Sequence, residues 1–159
     1  MFNDIGTPGL VGSASYSSGE FTIEGSGADI WGSADQFAYV HQGVTDGSTI
    51  SARITSQTNT NTWAKSGLMF RETLDANSKF VDLVVSPGKG LNMQWRDTTG
   101  GTCGTLALES SITLPVYIKL ERSGDTFNAY KSTDGSNWGS VLGSHTLAMN
   151  STVKVGMCV

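Results

Sequence analysis

A chain of 159 residues is long enough for one domain with a two-layer core and too short to divide comfortably into two. Its net charge of -4, its pI near 5.0 and its 10 scattered Lys and Arg residues exclude the basic stripe that a nucleic-acid or polybasic membrane-surface partner requires. No apolar run approaches the roughly 20 residues of a membrane-spanning helix, and Gly, Ser and Thr together exceed a third of the chain while charged residues make up only 15%.

The first ten residues, with Gly6, Pro8 and Gly9, suit either an edge strand or a tail. Met1-Phe2-Asn3-Asp4 lacks both a basic start and an apolar stretch, so it is not a signal peptide. From residue 50 onward the pattern has period two. Ile50, Ala52 and Ile54 alternate with Ser51, Arg53 and Thr55, and the run Trp63–Glu72 alternates in the same way. Val81, Leu83 and Val85 oppose Phe80, Asp82 and Val84; Leu91, Met93 and Trp95 oppose Asn92, Gln94 and Arg96. Val116, Ile118 and Leu120 then oppose Tyr117, Lys119 and Glu121, and Phe127 and Ala129 oppose Asn128 and Tyr130.

Turn signals separate these runs at Asp46-Gly47, Pro87-Gly88, Gly100-Gly101, Gly124-Asp125 and Asp134-Gly135. Pro87–Gly90 and Ser123–Asp125 read as hairpin loops. No amphipathic helix of useful length, internal repeat or linker is visible. The cadence predicts an all-β fold, an antiparallel two-sheet jelly-roll sandwich formed as one module over residues 1–159. The two cysteines, Cys103 and Cys158, have no zinc spacing, and their pairing stays open.

Several stretches in a fixed order carry a family likeness: Gly25–Gly32 with Asp29, Ile30 and Trp31; Asp35–Val40; Asp46–Ile54; Trp63–Glu72; and Tyr130–Trp138. Together they resemble the concanavalin A-like (laminin-G-like) jelly-roll modules of secreted bacterial proteins, over roughly residues 12–159. The resemblance implies secretion, a β-sandwich and glycan binding, since such modules are often appended to polysaccharide-degrading enzymes. The chain stops at Val159 inside a strand signal, which suggests a module cut from a larger protein.

Catalytic motifs are absent from the sequence. The clustered acids of laminarinase-type sandwiches do not occur. Glu72 and Asp75 flank a turn, and nothing places a second acid across a groove from Glu72. His41 and His145 have no nucleophile context, and no phosphate-binding loop exists. The sequence therefore predicts no enzymatic activity.

Binding chemistry is better represented. If the apolar side of each middle strand faces the core, Trp63, Lys65, Arg71, Asp82, Gln94 and Arg96 share the outer side of three sequential strands. That patch reads either as a glycan site or as a solvated sheet face with cross-strand ion pairs, and its cations favour an anionic or strongly polar glycan. A β-bulge at Gly67 would exchange the two faces there. Trp31, between glycines, is either a loop anchor or a stacking platform. Asp29 and Asp35 beside it suit either turn hydrogen bonds or a structural calcium ion. Ser132–Trp138 is similar to the Asp-box hairpin of sialidases without its Asp-x-Gly spacing, and reads as structural, with Trp138 packed back over the turn. Asn150-Ser151-Thr152 is a formal glycosylation acceptor.

The function expected is a non-catalytic carbohydrate-binding module of a secreted, extracellular polysaccharide-degrading enzyme. It would be monomeric, tethered to a catalytic domain, and would bind a polysaccharide or oligosaccharide. The alternative is a structural or adhesive spacer without a glycan site.

Overall fold

Each period-two segment of the sequence forms a strand in the computed structural model, which describes every residue from Met1 to Val159 and contains no helix. The strands in chain order are β1 (Phe2–Ile5), β2 (Ser13–Ser17), β3 (Glu20–Glu24), β4 (Phe37–Thr45), β5 (Thr49–Ile54), β6 (Ser66–Arg71) and β7 (Phe80–Ser86). They continue as β8 (Gly90–Arg96), β9 (Cys103–Glu109), β10 (Val116–Ser123), β11 (Thr126–Ser132), β12 (Gly143–Thr146) and β13 (Thr152–Cys158). A seven-stranded sheet, β1-β4-β13-β6-β7-β8-β9, packs on a four-stranded sheet, β12-β11-β10-β5, and β2 and β3 form a separate hairpin. All pairings are antiparallel, as the jelly-roll sandwich expected from the sequence requires. The first residues form an edge strand, not a tail, since β1 pairs with β4.

Both hairpin expectations hold. Ser86 pairs with Gly90 across the Pro87–Lys89 loop, and Ser123 pairs with Thr126 across Gly124-Asp125. Gly124 adopts the left-handed conformation, φ +60°, that a two-residue hairpin turn demands. The last strand, β13, does not lie at an edge but sits between β4 and β6, joining the two halves of the larger sheet.

The space between the sheets is filled by the residues that alternation assigns to the core. Leu68, Phe70, Val81, Leu83, Leu91 and Met93 meet Ile118, Leu120, Phe127 and Ala129, with the Phe70 and Phe127 rings 5.5 Å apart in an edge contact. No bulge occurs at Gly67. The β6–β7 register runs unbroken from Ser66 opposite Val85 to Arg71 opposite Phe80. A Cβ at Gly67 would lie 2.1 Å from the Leu83 carbonyl oxygen, so only glycine fits there.

The other face of the seven-stranded sheet is not solvent-exposed. Ile5, Phe37, Tyr39, Met69, Phe80, Val84 and Cys158 form a second apolar layer, closed by Ile30 from the segment between β3 and β4. The Tyr39 hydroxyl inside it donates to the Met69 carbonyl at 3.0 Å. Cys103 packs against this layer, and both cysteines are free thiols. Burial raises the Cys103 thiol to about 11 and lifts that of Cys158 well above its ordinary value.

Candidate functional site

Strand parity puts the side chains of β6–β8 on the faces expected of them, but the outer face is not in solvent. Arg71, Asp82, Gln94 and Arg96 do lie on the outer face of β6–β8, yet each is at most 1% exposed. The segment 25–36 and the turn after β6 cover them. They are therefore not a surface patch.

Asp35 explains how this covering layer is fastened. Its carboxylate accepts from Arg71 Nη1 at 2.6 Å, from Arg96 Nη1 at 2.8 Å and from Arg96 Nη2 at 2.5 Å. The remaining guanidinium hydrogens reach backbone carbonyls of the covering loops: Asp75 and Ala76 from Arg71, and Trp31, Gly32 and Ser78 from Arg96. Two buried cations sharing one buried anion are tolerable because nearly every donor has a partner. Asp82 differs. It is fully buried beside Gln94, and neither carboxylate oxygen has a hydrogen-bond partner. Burial, only partly offset by Lys65, raises its pKa well above the usual carboxylate range.

The calcium expectation does not fit these surroundings. Both oxygens of Asp35 are committed to guanidinium groups, Asp29 Oδ1 holds Lys65, and no group of three or more His, Cys, Asp or Glu side chains converges anywhere in the chain. A divalent cation at Asp35 would sit against Arg71 and Arg96.

The rest of the expected set, Trp31, Trp63 and Lys65, gathers in one place, with the two indoles partly exposed and the lysine buried. Trp63 lies in the loop before β6 instead of on the strand, and Lys65 occupies the residue before β6 begins. Lys65 is 8% exposed, because its Nζ donates to Asp29 Oδ1 at 2.6 Å and to the Ile30 carbonyl at 2.8 Å. Its ammonium stands 5.5 Å from the Trp31 ring centre and 5.7 Å from that of Trp63. The indoles, 38% and 37% exposed, thus flank one fixed cation. Lys89, absent from the set expected from the sequence, also approaches the Trp63 ring, at 5.5 Å. The contact is organised by the backbone: Gly88 N donates to the Thr62 carbonyl at 3.0 Å, clamping the β7–β8 hairpin to the Trp63 loop. Gln57 ties the same loop down through the Ala64 carbonyl at 3.0 Å.

Trp63, Lys65 and Asp29 line a cleft of about 1530 Å³. Its far wall is the β2–β3 hairpin and its floor the unpaired edge of β5. Glu20 of the hairpin accepts from Thr55 Oγ1 at 2.9 Å across it. The cleft offers the half-exposed indole of Trp63, a buried lysine held in one place, and the Asp29 carboxylate, whose second oxygen is uncommitted. Such a surface can stack against an apolar ring face while bonding to its hydroxyls.

The other residues weighed in the sequence are engaged locally. Glu72 pairs with Lys79 at 2.9 Å and accepts from Asn150 N at 2.9 Å, while Asp75 bonds Thr73 within the same turn. His41 stacks on Tyr39 and His145 on Trp95. Asp134 caps the backbone of Ser136 and Asn137 at 2.8 Å each, the structural role expected. Trp138, however, lies beside Lys119, and it is Tyr117 that packs on Gly135 of that turn.

No family model matches this chain, and no curated protein matches it in sequence. Solved structures share its fold. The carbohydrate-binding module CBM66 from Bacillus subtilis superposes with a TM-score of 0.64 at 18% identity, over 99% of this chain and 86% of that one. A functionally unknown protein from Saccharomyces cerevisiae superposes with a TM-score of 0.68 at 12% identity, over 99% of this chain and 85% of that one. At these identities the likeness establishes the antiparallel β-sandwich and nothing finer.

Proposed function

We propose that this chain is a non-catalytic carbohydrate-binding module, of the concanavalin A-like kind its motifs resemble, carried by a secreted polysaccharide-active protein. The observation that supports the reading most directly is the pair of half-exposed indoles near the Lys65 ammonium: Trp63, which lines the cleft, at 5.7 Å, and Trp31, next to the cleft residue Ile30, at 5.5 Å. A sandwich needs neither ring there for its core, which lies between the sheets. A fold shared with CBM66 of Bacillus subtilis agrees with the reading. In this assignment Trp63 and Trp31 stack on sugar rings, Asp29 bonds to hydroxyls through its free oxygen, Lys65 holds Asp29 and the segment at Ile30 in place, and Lys89 adds positive charge. Arg71, Arg96 and Asp35 act only by fastening the loop that presents Trp31 and Asp29.

Affinity electrophoresis of the domain across plant, algal and fungal polysaccharides, followed by calorimetry on the best ligand, tests this. Trp63→Ala should weaken binding at least about tenfold, the effect of losing roughly 1.4 kcal/mol of stacking and desolvation. Retention by no polysaccharide, or full affinity in both Trp63→Ala and Trp31→Ala, would favour a spacer module without a site in this cleft.

A further inference from the structure

The geometry points to a second glycan surface on the outer face of the four-stranded sheet, selective for sugar chains that carry carboxylate or sulfate groups. The inference does not depend on the cleft. Register puts the residues in one continuous grid. Arg53 of β5 lies opposite Tyr117 of β10, which lies opposite Ser132 of β11. Ser51, Lys119 and Tyr130 form the next row, and Thr49, Glu121 and Asn128 the one after. Alternation turns all of them away from Ile118, Leu120 and Phe127 in the core, and no further layer covers this face.

An uncovered β-face stays soluble with Ser, Thr and charged side chains, and needs no large rings. This one carries three. Tyr117 and Tyr130 stand on neighbouring strands, and Trp138 is brought over the sheet by the loop after β11. That loop is built for its position. Ser132 Oγ bonds Asp134, Asp134 caps the turn, and Gly135 at φ +74° packs on Tyr117, where an added Cβ would come within 2.7 Å of the ring. The rings fix the cations. Lys119 Nζ lies 4.0 Å from the Tyr130 ring centre and 5.0 Å from that of Trp138, and the Arg53 guanidinium lies 5.8 Å from that of Tyr117.

Charge decides the class of occupant. Arg53 and Lys119 face one acid on the grid, Glu121, whose Oε2 already accepts from the Tyr130 hydroxyl at 2.8 Å. Asp134, at the turn after β11, spends Oδ1 on its own turn. Arg53 and Lys119 are therefore two cations without a carboxylate within ion-pair distance, on a chain of net charge -4. An anionic sugar chain satisfies both features, its rings against Trp138 and Tyr117 and its acid groups on Lys119 and Arg53. Tyr130, covered by Lys119, positions that lysine. Arg53, on β5, also borders the cleft, so Lys119 and Trp138 are the residues that isolate this face.

The experiment is an amide and indole NMR titration of the whole chain with tetragalacturonate and, separately, with neutral cellotetraose. Tetragalacturonate should shift residues 117–121, 128–132 and the Trp138 indole, with at least tenfold higher affinity than cellotetraose. Lys119→Ala and Trp138→Ala should each weaken that response at least fivefold. Lys119→Arg should restore it, and Trp63→Ala and the charge control Lys154→Ala should leave it unchanged. Shifts confined to the cleft, an equal response to the neutral sugar, or no shift on this face overturns the inference. So does sedimentation showing a dimer that Lys119→Glu dissociates, because the face is then a contact between two copies.

Discussion

The two outward faces of this sandwich carry the same kind of residues and meet opposite fates. Arg71, Asp82, Gln94 and Arg96 alternate with core residues on β6–β8 just as Arg53, Tyr117, Lys119 and Tyr130 do on β5, β10 and β11. The first set is enclosed beneath the segment 25–36, with Arg71 and Arg96 at 0% exposure, while the second set stands at the surface. The difference lies in what happens to charge. On the covered face each guanidinium is spent on a carboxylate and on carbonyls of the covering loops, so its role is to hold those loops down. On the open face Arg53 and Lys119 rest against rings and have no carboxylate partner within ion-pair distance. Alternation says which way a side chain points. It does not say whether water or another layer of chain is waiting there.

The sharpest way to break this contrast is Asp35→Asn. It leaves two fully buried guanidinium groups without their anion and should cost about 3–5 kcal/mol, enough to unfasten the covering loop. Denaturant unfolding measures it, and a loss below about 1 kcal/mol would mean that the arginines do not depend on Asp35. Trp31 fluorescence should redshift in the same variant as its loop opens.

Asp82 should respond in the opposite direction. Its folded pKa is raised by burial, so the folded state holds a proton that the unfolded chain gives up near its ordinary value of about 3.9. Unfolding then releases that proton, and stability falls as pH rises from about 4 toward the folded pKa. Asp82→Asn removes this dependence. It should stabilise the domain by about 1–3 kcal/mol at pH 7 and by little at about pH 3, where the native acid is protonated when folded and largely protonated when unfolded. Melting temperatures of the two proteins at both pH values check this. A variant less stable than the native chain at pH 7 would show that Asp82 is ionised and paired with Lys65.

The smallest effect belongs to the open face. Lys119→Ala and Trp138→Ala remove groups outside the core and should change stability by no more than about 0.5–1 kcal/mol. A loss of several kcal/mol in either would make the face a packing element and erase the distinction drawn between the two sides.

Much of the fold could be read from the chain alone, because strand periodicity is a local property. Six alternating segments became β5–β8, β10 and β11, and the turn residues Pro87–Lys89 and Gly124-Asp125 marked two hairpins. The shorter or more polar strands β1–β3, β9 and β12 carried little of this signal, and the alternation of Phe37 and Tyr39 was already present in a segment quoted only for its family likeness. Lys89 carries no local signal of its place at the candidate site, because it reaches Trp63 only once Gly88 bonds to Thr62, a contact between loops 26 residues apart in number (88 against 62).

The sequence by itself determined the all-β class, the inward and outward parity of each middle strand, and the set of chemically notable residues from which the site would be drawn. Tertiary structure alone decided which of those residues meet solvent. Parity depends on φ and ψ along one strand, which the local pattern of apolar and polar residues specifies. Exposure depends on where a distant segment closes. Here that was settled by Asp35, which reaches Arg71 and Arg96 across 36 and 61 residues of chain and turns an apparent surface into an interior.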